Sequence, residues 1–193
     1  MAVKYPKEVI LGIAELPTAE YFEWYNRLNE LLDMLVDMGA EFLRCFGYRA
    51  VAQTRARVSM GEKNDGAVLP HKTVATRAGI GWIGKCALLV TKEYGSMIRL
   101  SSVLTDAPLE TAQPVNTSRC GNCTACIEAC PGGAVSGKPW NVGMPREDFF
   151  DAAACRKAAR ERARLGFGDS VTICGKCIEV CPYTRNFMRI GAP

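Results

Sequence analysis

Eight of the ten cysteines in this 193-residue chain lie between Cys120 and Cys181, and that crowding constrains the fold more than any other feature. The first signal is the run Cys120-x2-Cys123-x2-Cys126-x3-Cys130-Pro131. A partial second copy follows as Cys174-x2-Cys177-x3-Cys181-Pro182, with Cys155 lying nineteen residues before Cys174. A small disulfide-stapled domain would carry a higher cysteine share, about 8–10% spread along its length. Hydrophobic residues make up 48% and charged residues 23%, as in an ordinary globular protein able to bury a core. The first residues lack the apolar segment of a secretory leader, and no charge-free apolar run reaches the ~18 residues of a membrane span. These features point to the cytoplasm, with no membrane partner. Thiols stay reduced there, and clustered cysteines bind metal more often than they pair.

The first run is the one by which bacterial ferredoxins bind iron–sulfur clusters. Three thiolates on one tight loop can cover three iron corners of a cube, while the fourth cysteine of the run points away to another cluster. That exchange pattern assigns Cys120, Cys123, Cys126 and Cys181 to one [4Fe–4S] cluster. Cys130, Cys155, Cys174 and Cys177 take the second. Zinc is the competitor, because Cys-x2-Cys pairs also build tetrahedral sites. Zinc requires neither the third cysteine nor the prolines after both final cysteines, so two clusters are the reading adopted. Cys45 and Cys86 are left over and read as small buried hydrophobes.

Before the cysteines the chain alternates helical and strand-like segments. Residues 8–13 form an apolar run that reads as a strand. Thr18 is placed to cap a long helix in which Trp24, Leu28, Leu31, Leu35, Met38 and Phe42 make one apolar face, read as core. Residues 48–54 read as a strand and 61–66 as a turn-rich loop. Residues 73–77 read as a short helix closed by Gly79. Residues 86–91 and 97–104 are β-rich and joined by five residues containing glycine, the signature of a hairpin. Pro108, Pro114 and the polar stretch up to Arg119 mark a boundary. The fold class is therefore α+β, with a cofactor domain over 1–113 and a two-cluster ferredoxin-like domain over 114–193. The net charge of +4 is mild. Its densest stretch, with Arg156, Arg160, Arg162 and Arg164, suits a solvated helix face, an acidic electron donor or a phosphate backbone. An RNA-binding role would gather those four arginines into one exposed patch.

A bare ferredoxin has no need of the residues before the clusters, so these serve something else. The informative segment is Ala78-Gly79-Ile80-Gly81-Trp82-Ile83-Gly84-Lys85. No strand–loop–helix unit with a later acid surrounds its glycines, so they read as backbone packed closely against something flat or bulky rather than a phosphate cradle. From Val74-Ala75-Thr76-Arg77 through this segment, Gly95-Ser96 and Leu104-Thr105-Asp106-Ala107-Pro108-Leu109, the chain resembles the epoxyqueuosine reductase family. That family is cobalamin-dependent, carries two [4Fe–4S] clusters and shares architecture with corrinoid reductive dehalogenases. The resemblance covers about residues 65–182, including the order and unequal spacing of all eight cluster cysteines. It implies a reduced nitroreductase-like, cobalamin-type α/β domain ahead of the ferredoxin-like one. It places Asp65 on the family's catalytic aspartate, a proton donor to substrate above the cobalt. It places Leu89 and Leu100 on backbone contacts to the corrin ring, and Gly175 after a cluster ligand that faces it. Read from the residues alone, Asn64-Asp65-Gly66 is a turn signature.

Val68 stands where the family usually has proline, and Cys86 where it usually has a polar residue. The helical repeats that family members often carry beyond the clusters, and use on transfer RNA, have no counterpart before Pro193. The expectation is therefore a shortened redox core, with transfer RNA a doubtful substrate. His71, the one histidine, suits a cobalt ligand, an acid–base group or a structural residue. The reading is an iron–sulfur oxidoreductase passing electrons through two clusters to a cobalamin that reduces a small molecule or modified nucleoside. Its electrons would come from a low-potential donor of the ferredoxin or flavodoxin type. The alternative is an electron-transfer or reductive-activation module for a partner protein's corrinoid or flavin, with no substrate of its own.

Overall fold

The computed structural model describes residues 1–58 and 67–189. Its first strand, β1 (Ala2–Lys4), comes earlier than expected, and residues 8–13 are not a strand. Pro6 instead precedes a short helix, α1 (Lys7–Leu11), with Glu8 in its first turn. Proline's fixed φ and missing N–H suit a helix start, and an acidic first turn complements the helix dipole. Val9, Ile10 and Ile13 are all buried, so the apolar run reflects burial rather than extended backbone.

The long helix α2 (Ala19–Cys45) begins where the sequence places it, with Thr18 Oγ1 accepting from the Tyr21 N–H at 3.1 Å. Its buried register is not the expected one. Leu28, Leu32, Val36 and Ala40 face inward, whereas Met38 and Phe42 are 62% and 63% exposed. The helix is apolar on more than one side, so spacing alone does not choose the face. Small residues decide it: Val36 and Ala40 pack on Ala50 and Ala52 of β2 (Ala50–Ala52).

Helix α3 (His71–Arg77) ends as predicted, with Gly79 at φ +70 and the Ile80 N–H returning to the Ala75 carbonyl at 3.0 Å. The strands then form three antiparallel pairs. β3 (Trp82–Ile83) pairs with β4 (Leu89–Val90), β1 with β5 (Ile98–Leu100), and β2 with β6 (Val103–Thr105). β5 and β6 continue one another but change partner at Ser101 and Ser102. There the Ser101 N–H donates to the Met1 carbonyl and the Gln53 N–H donates to the Ser102 carbonyl.

The expected hairpin is therefore only partly present. Thr91 and Gly95 close the connecting loop, but β4 turns back to β3 rather than along β5. A distant contact explains the split. Gly95 lies so close to Thr184 that a side chain there would collide with it, and the Ser96 N–H donates to Thr184 Oγ1 at 3.1 Å.

The cysteine-rich half is built from short helices: α4 (Ala125–Glu128), α5 (Ala152–Phe167), α6 (Lys176–Glu179) and α7 (Pro182–Arg189). Asp151 caps α5 by accepting from the Ala153 and Ala154 N–H groups at 2.9 Å, and Gly168 closes it in the left-handed region. The main core joins Tyr5, Ile10, Ile13, Tyr21 and Met97 to Ala163, Ile173 and Ile178, from both sides of residue 113. Among the described residues no helix is long and apolar enough to cross a membrane.

Glu179 locks α6 to α7. It is buried, and its carboxylate meets Lys176 Nζ at 3.0 Å and the Arg185 guanidinium at 2.7 Å. Burial opposes its ionisation, but the bonds from Arg185 and Lys176 outweigh that and hold the carboxyl below its usual range. A lowered native pKa contributes stability above the unfolded value and loses it as pH falls through the native one. Glu179→Gln is expected to cost about 1–3 kcal/mol in urea unfolding at neutral pH. That penalty should shrink in acid, as the wild-type carboxyl takes up its proton.

Candidate metal centre

Lys85 joins the glycine segment to the first cysteine loop. It is only 6% exposed, and its ammonium donates to the carbonyls of Gly121 and Cys123, each at 2.9 Å. The Gly79-x-Gly81-x-x-Gly84 spacing, which elsewhere opens a helix under a phosphate, here runs from α3 into β3. What presses on it is the chain itself. A side chain on Gly81 would collide with the Val90 carbonyl, and a Cβ on Gly84 would stand 2.9 Å from Val90 Cγ2 and 3.6 Å from Cys120 Sγ. Trp82 rests edge-on against Tyr183 at 4.9 Å, two residues beyond Cys181.

These contacts bring Cys120, Cys123, Cys126 and Cys181 around one small cavity of about 110 Å³. They are the four thiols the sequence assigns to the first cluster, and Cys177 of the second set and Cys86 line the same cavity. The Cys123 N–H donates to the Cys120 carbonyl at 3.1 Å, which tightens the loop. Among the described residues no three His, Cys, Asp or Glu side chains converge as a single-ion site. Thiols spread around a void suit a multi-iron cube better than a four-coordinate zinc, whose ligands must meet at one point.

Of the second set, Cys130, Cys155 and Cys174 gather at α5, whereas Cys177 lines the first cavity. Gly132 passes so close to this helix that a Cβ would stand 2.8 Å from the Ala154 carbonyl, which brings Cys130 toward Cys155. Burial pushes the Cys155 thiol up, and the neighbouring Cys130 and Cys174 thiols add to the effect. Burial likewise raises Cys181. Iron must therefore displace protons when it binds these sulfurs. Gly175 turns the chain between Cys174 and Cys177 at φ +73, and a side chain there would run into Ile13 and Tyr21.

Leu89 and Leu100 line one further cavity, of about 300 Å³, with Ala87, His71 and Ile178 on its walls. Gly175 does not line it; its open side faces Ile13 and Tyr21 instead. Asp65 lies outside the described residues, two positions before Ala67, which lines this cavity. His71 Nδ1 is 3.0 Å from Ser102 Oγ. Burial, with help from the chain's amino terminus and Arg99, lowers its pKa and favours the neutral ring. Lys72 Nζ donates to the Ala87 carbonyl at 2.8 Å.

The two cavities share a wall. Cys86 and Cys177 line the thiol-ringed one, while their neighbours Ala87 and Ile178 line the other. Ala87 makes this possible by adopting φ 60, the one positive φ of a non-glycine residue among those described. The turn aims residue 86 to one side and residue 87 to the other.

Two expectations are corrected. Cys45 is exposed at the end of α2 rather than buried. Cys86 is buried, but in the wall of the thiol-ringed cavity with Cys126 and Cys177 rather than apart from the cysteines. Its isolation in sequence hid this, since no spacing rule links it to residues forty or more positions away. The four arginines of α5 do not form one patch. Arg156 and Arg160 share a trough with Lys157, whereas Arg162 donates to the Glu15 carbonyl and Arg164 pairs with Glu161.

Residues 119–184 match the family model described as a 4Fe-4S double cluster binding domain. The chain is 35% identical over 121 residues to the epoxyqueuosine reductase of Escherichia coli strain K12, covering 63% of this chain and 31% of that protein. It is 32% identical over 163 residues to that of Bacillus subtilis strain 168, covering 84% and 38%. It thus spans about a third of the length of these relatives. A crystal structure of epoxyqueuosine reductase with a modified tRNA stem loop matches with a TM-score of 0.58 and 27% identity, over 81% of this chain and 39% of that one. A catabolic reductive dehalogenase matches with a TM-score of 0.72 at 20% identity, over 96% and 25%, a likeness of fold. The resemblance read from the glycine segment and the cysteines is thereby borne out.

Gly175→Ala is expected to disturb the second ligand set while leaving the first in place. After anaerobic reconstitution, iron should fall from about eight toward about four per chain, the complement of one cube.

Proposed function

We propose that the chain is the redox core of a reductase of the epoxyqueuosine reductase type, with two [4Fe–4S] clusters and a cobalamin. The observation that carries this reading is the shared wall, one residue thick at Cys86–Ala87 and at Cys177–Ile178, between the thiol-ringed cavity and the cavity of Leu89 and Leu100. Cys120, Cys123, Cys126 and Cys181 would hold one cluster, and Cys130, Cys155, Cys174 and Cys177 the other. When bound, the clusters would relay single electrons from a ferredoxin- or flavodoxin-type donor to a strongly reducing cobalt centre. We read residues 1–113 as the reduced nitroreductase-like domain and 114–193 as the ferredoxin-like one.

The chain's own residues have distinct tasks. Leu89 and Leu100 would offer their backbone to the corrin ring. Gly175, which lies outside that cavity, sets the spacing of Cys174 and Cys177 by its turn. Asp65 would donate the proton that must accompany electron delivery to the substrate, a task that suits a carboxylic acid whose pKa burial has raised. His71, bonded to Ser102, would remain a neutral part of the cavity wall.

The relatives are named for epoxyqueuosine, and one was crystallised with a tRNA stem loop that carries it. A modified nucleoside in RNA is accordingly the substrate class we infer. The sequence-based expectation against transfer RNA finds no support in these relatives.

Anaerobic reconstitution followed by hydroxocobalamin titration, read by absorbance and EPR, tests the reading. About eight irons and one tightly bound corrinoid per chain are expected, as two [4Fe–4S] cubes and one cobalamin require. Eight irons without corrinoid binding would instead favour an electron-transfer module. Asp65→Asn should abolish reduction of an epoxyqueuosine-bearing stem loop while leaving iron content and corrinoid binding unchanged. Surviving turnover would remove Asp65 from the proton-donor role.

A further inference from the structure

Cys86 is a ninth thiol inside the metal centre. It is 6% exposed and lines the cavity ringed by Cys120, Cys123, Cys126 and Cys181. The same cavity is lined by Cys126, from the first ligand set, and by Cys177, from the second, so Cys86 faces a thiol of each. Each set has its four cysteines without it. Its position is also tightly held. The Gly84 N–H donates to the Leu88 carbonyl at 2.8 Å, and the Ala87 N–H to the Gly84 carbonyl at 2.9 Å. On one side Lys85 is tied to the Gly121 and Cys123 carbonyls, and on the other Lys72 is tied to the Ala87 carbonyl. A residue pinned on both flanks has little freedom to swing away.

We propose that Cys86 is a positioning residue shared by the two cluster sites, a thiol that donates its S–H to a ligand sulfur and so sets the reduction potential. The inference rests on the two-cluster reading given above. A hydrogen bond to a cluster sulfur withdraws negative charge, which makes the added electron easier to accept and raises the potential. One S–H carries one proton, so Cys86 serves Cys126 or Cys177 at a given moment, not both. The cluster that receives the bond becomes the better electron acceptor. The thiol therefore biases which of the two holds the electron, on the wall that faces the second cavity.

The test is an EPR-monitored redox titration of the reconstituted chain without corrinoid, comparing wild type, Cys86→Ala and Cys86→Ser. Cys86→Ala should keep its full iron content and shift at least one cluster to a lower potential. Cys86→Ser, which restores a donor of similar size, should return that potential to the wild-type value or above. Unchanged potentials in Cys86→Ala overturn the inference. A serine variant that behaves like alanine also overturns it, because the effect would then be one of packing. Loss of half the iron in Cys86→Ala would make the residue a ligand and overturn the inference as well. A wild-type chain that takes up no iron overturns the two-cluster reading itself, and the inference with it.

Discussion

The buried ammonium of Lys85 is the contact on which the rest of the metal centre depends. Burying a charge without a partner is costly, and two backbone carbonyls, those of Gly121 and Cys123, offset the cost here. Those carbonyls belong to the loop that carries the first three cluster thiols. Gly81 and Gly84, just before Lys85, let the segment approach Val90 and Cys120 closely enough for the lysine to reach them. The glycine segment and the cysteine run, far apart in sequence, are thus two halves of one device. A shorter or bulkier segment would leave the cysteine loop without its anchor.

What the sequence made legible was whatever local chemistry decides. The Thr18 cap and the Gly79 closure of α3 each rest on short-range rules, and each appears as expected. The failures share an opposite cause. Residues 8–13 are apolar because a core covers them, and neither strand nor helix follows from that alone. The wrong face of α2 was preferred because Met38 and Phe42 are as apolar as Leu32 and Val36. Only the approach of β2 distinguishes them. The hairpin between β4 and β5 was lost to Thr184, almost ninety residues away. Cys86 has no nearby partner in sequence, and the cysteines that share its cavity lie across the fold.

Two cavities with adjoining walls impose a geometry that neither imposes alone. Residues 86 and 87 face opposite ways because Ala87 takes a backbone conformation that side chains other than glycine rarely adopt. Such a conformation persists only when its surroundings hold it, and the Lys72 bond to the Ala87 carbonyl is part of that support. Backbone strain, a buried lysine and the separation of the two cavities are therefore parts of one local arrangement.

The interleaving of the two ligand sets also has a consequence for how the protein is made. In the proposed assignment Cys120, Cys123 and Cys126 wait for Cys181, while Cys130 and Cys155 wait for Cys174 and Cys177. Neither cube would close on a ribosome-bound chain until the segment 174–181 has emerged. Both would then depend on the same short α6–α7 corner held by Glu179. Cofactor loading would follow the emergence of that corner. Until it happens, the nascent chain must keep eight reactive sulfurs out of reach of oxygen and of one another.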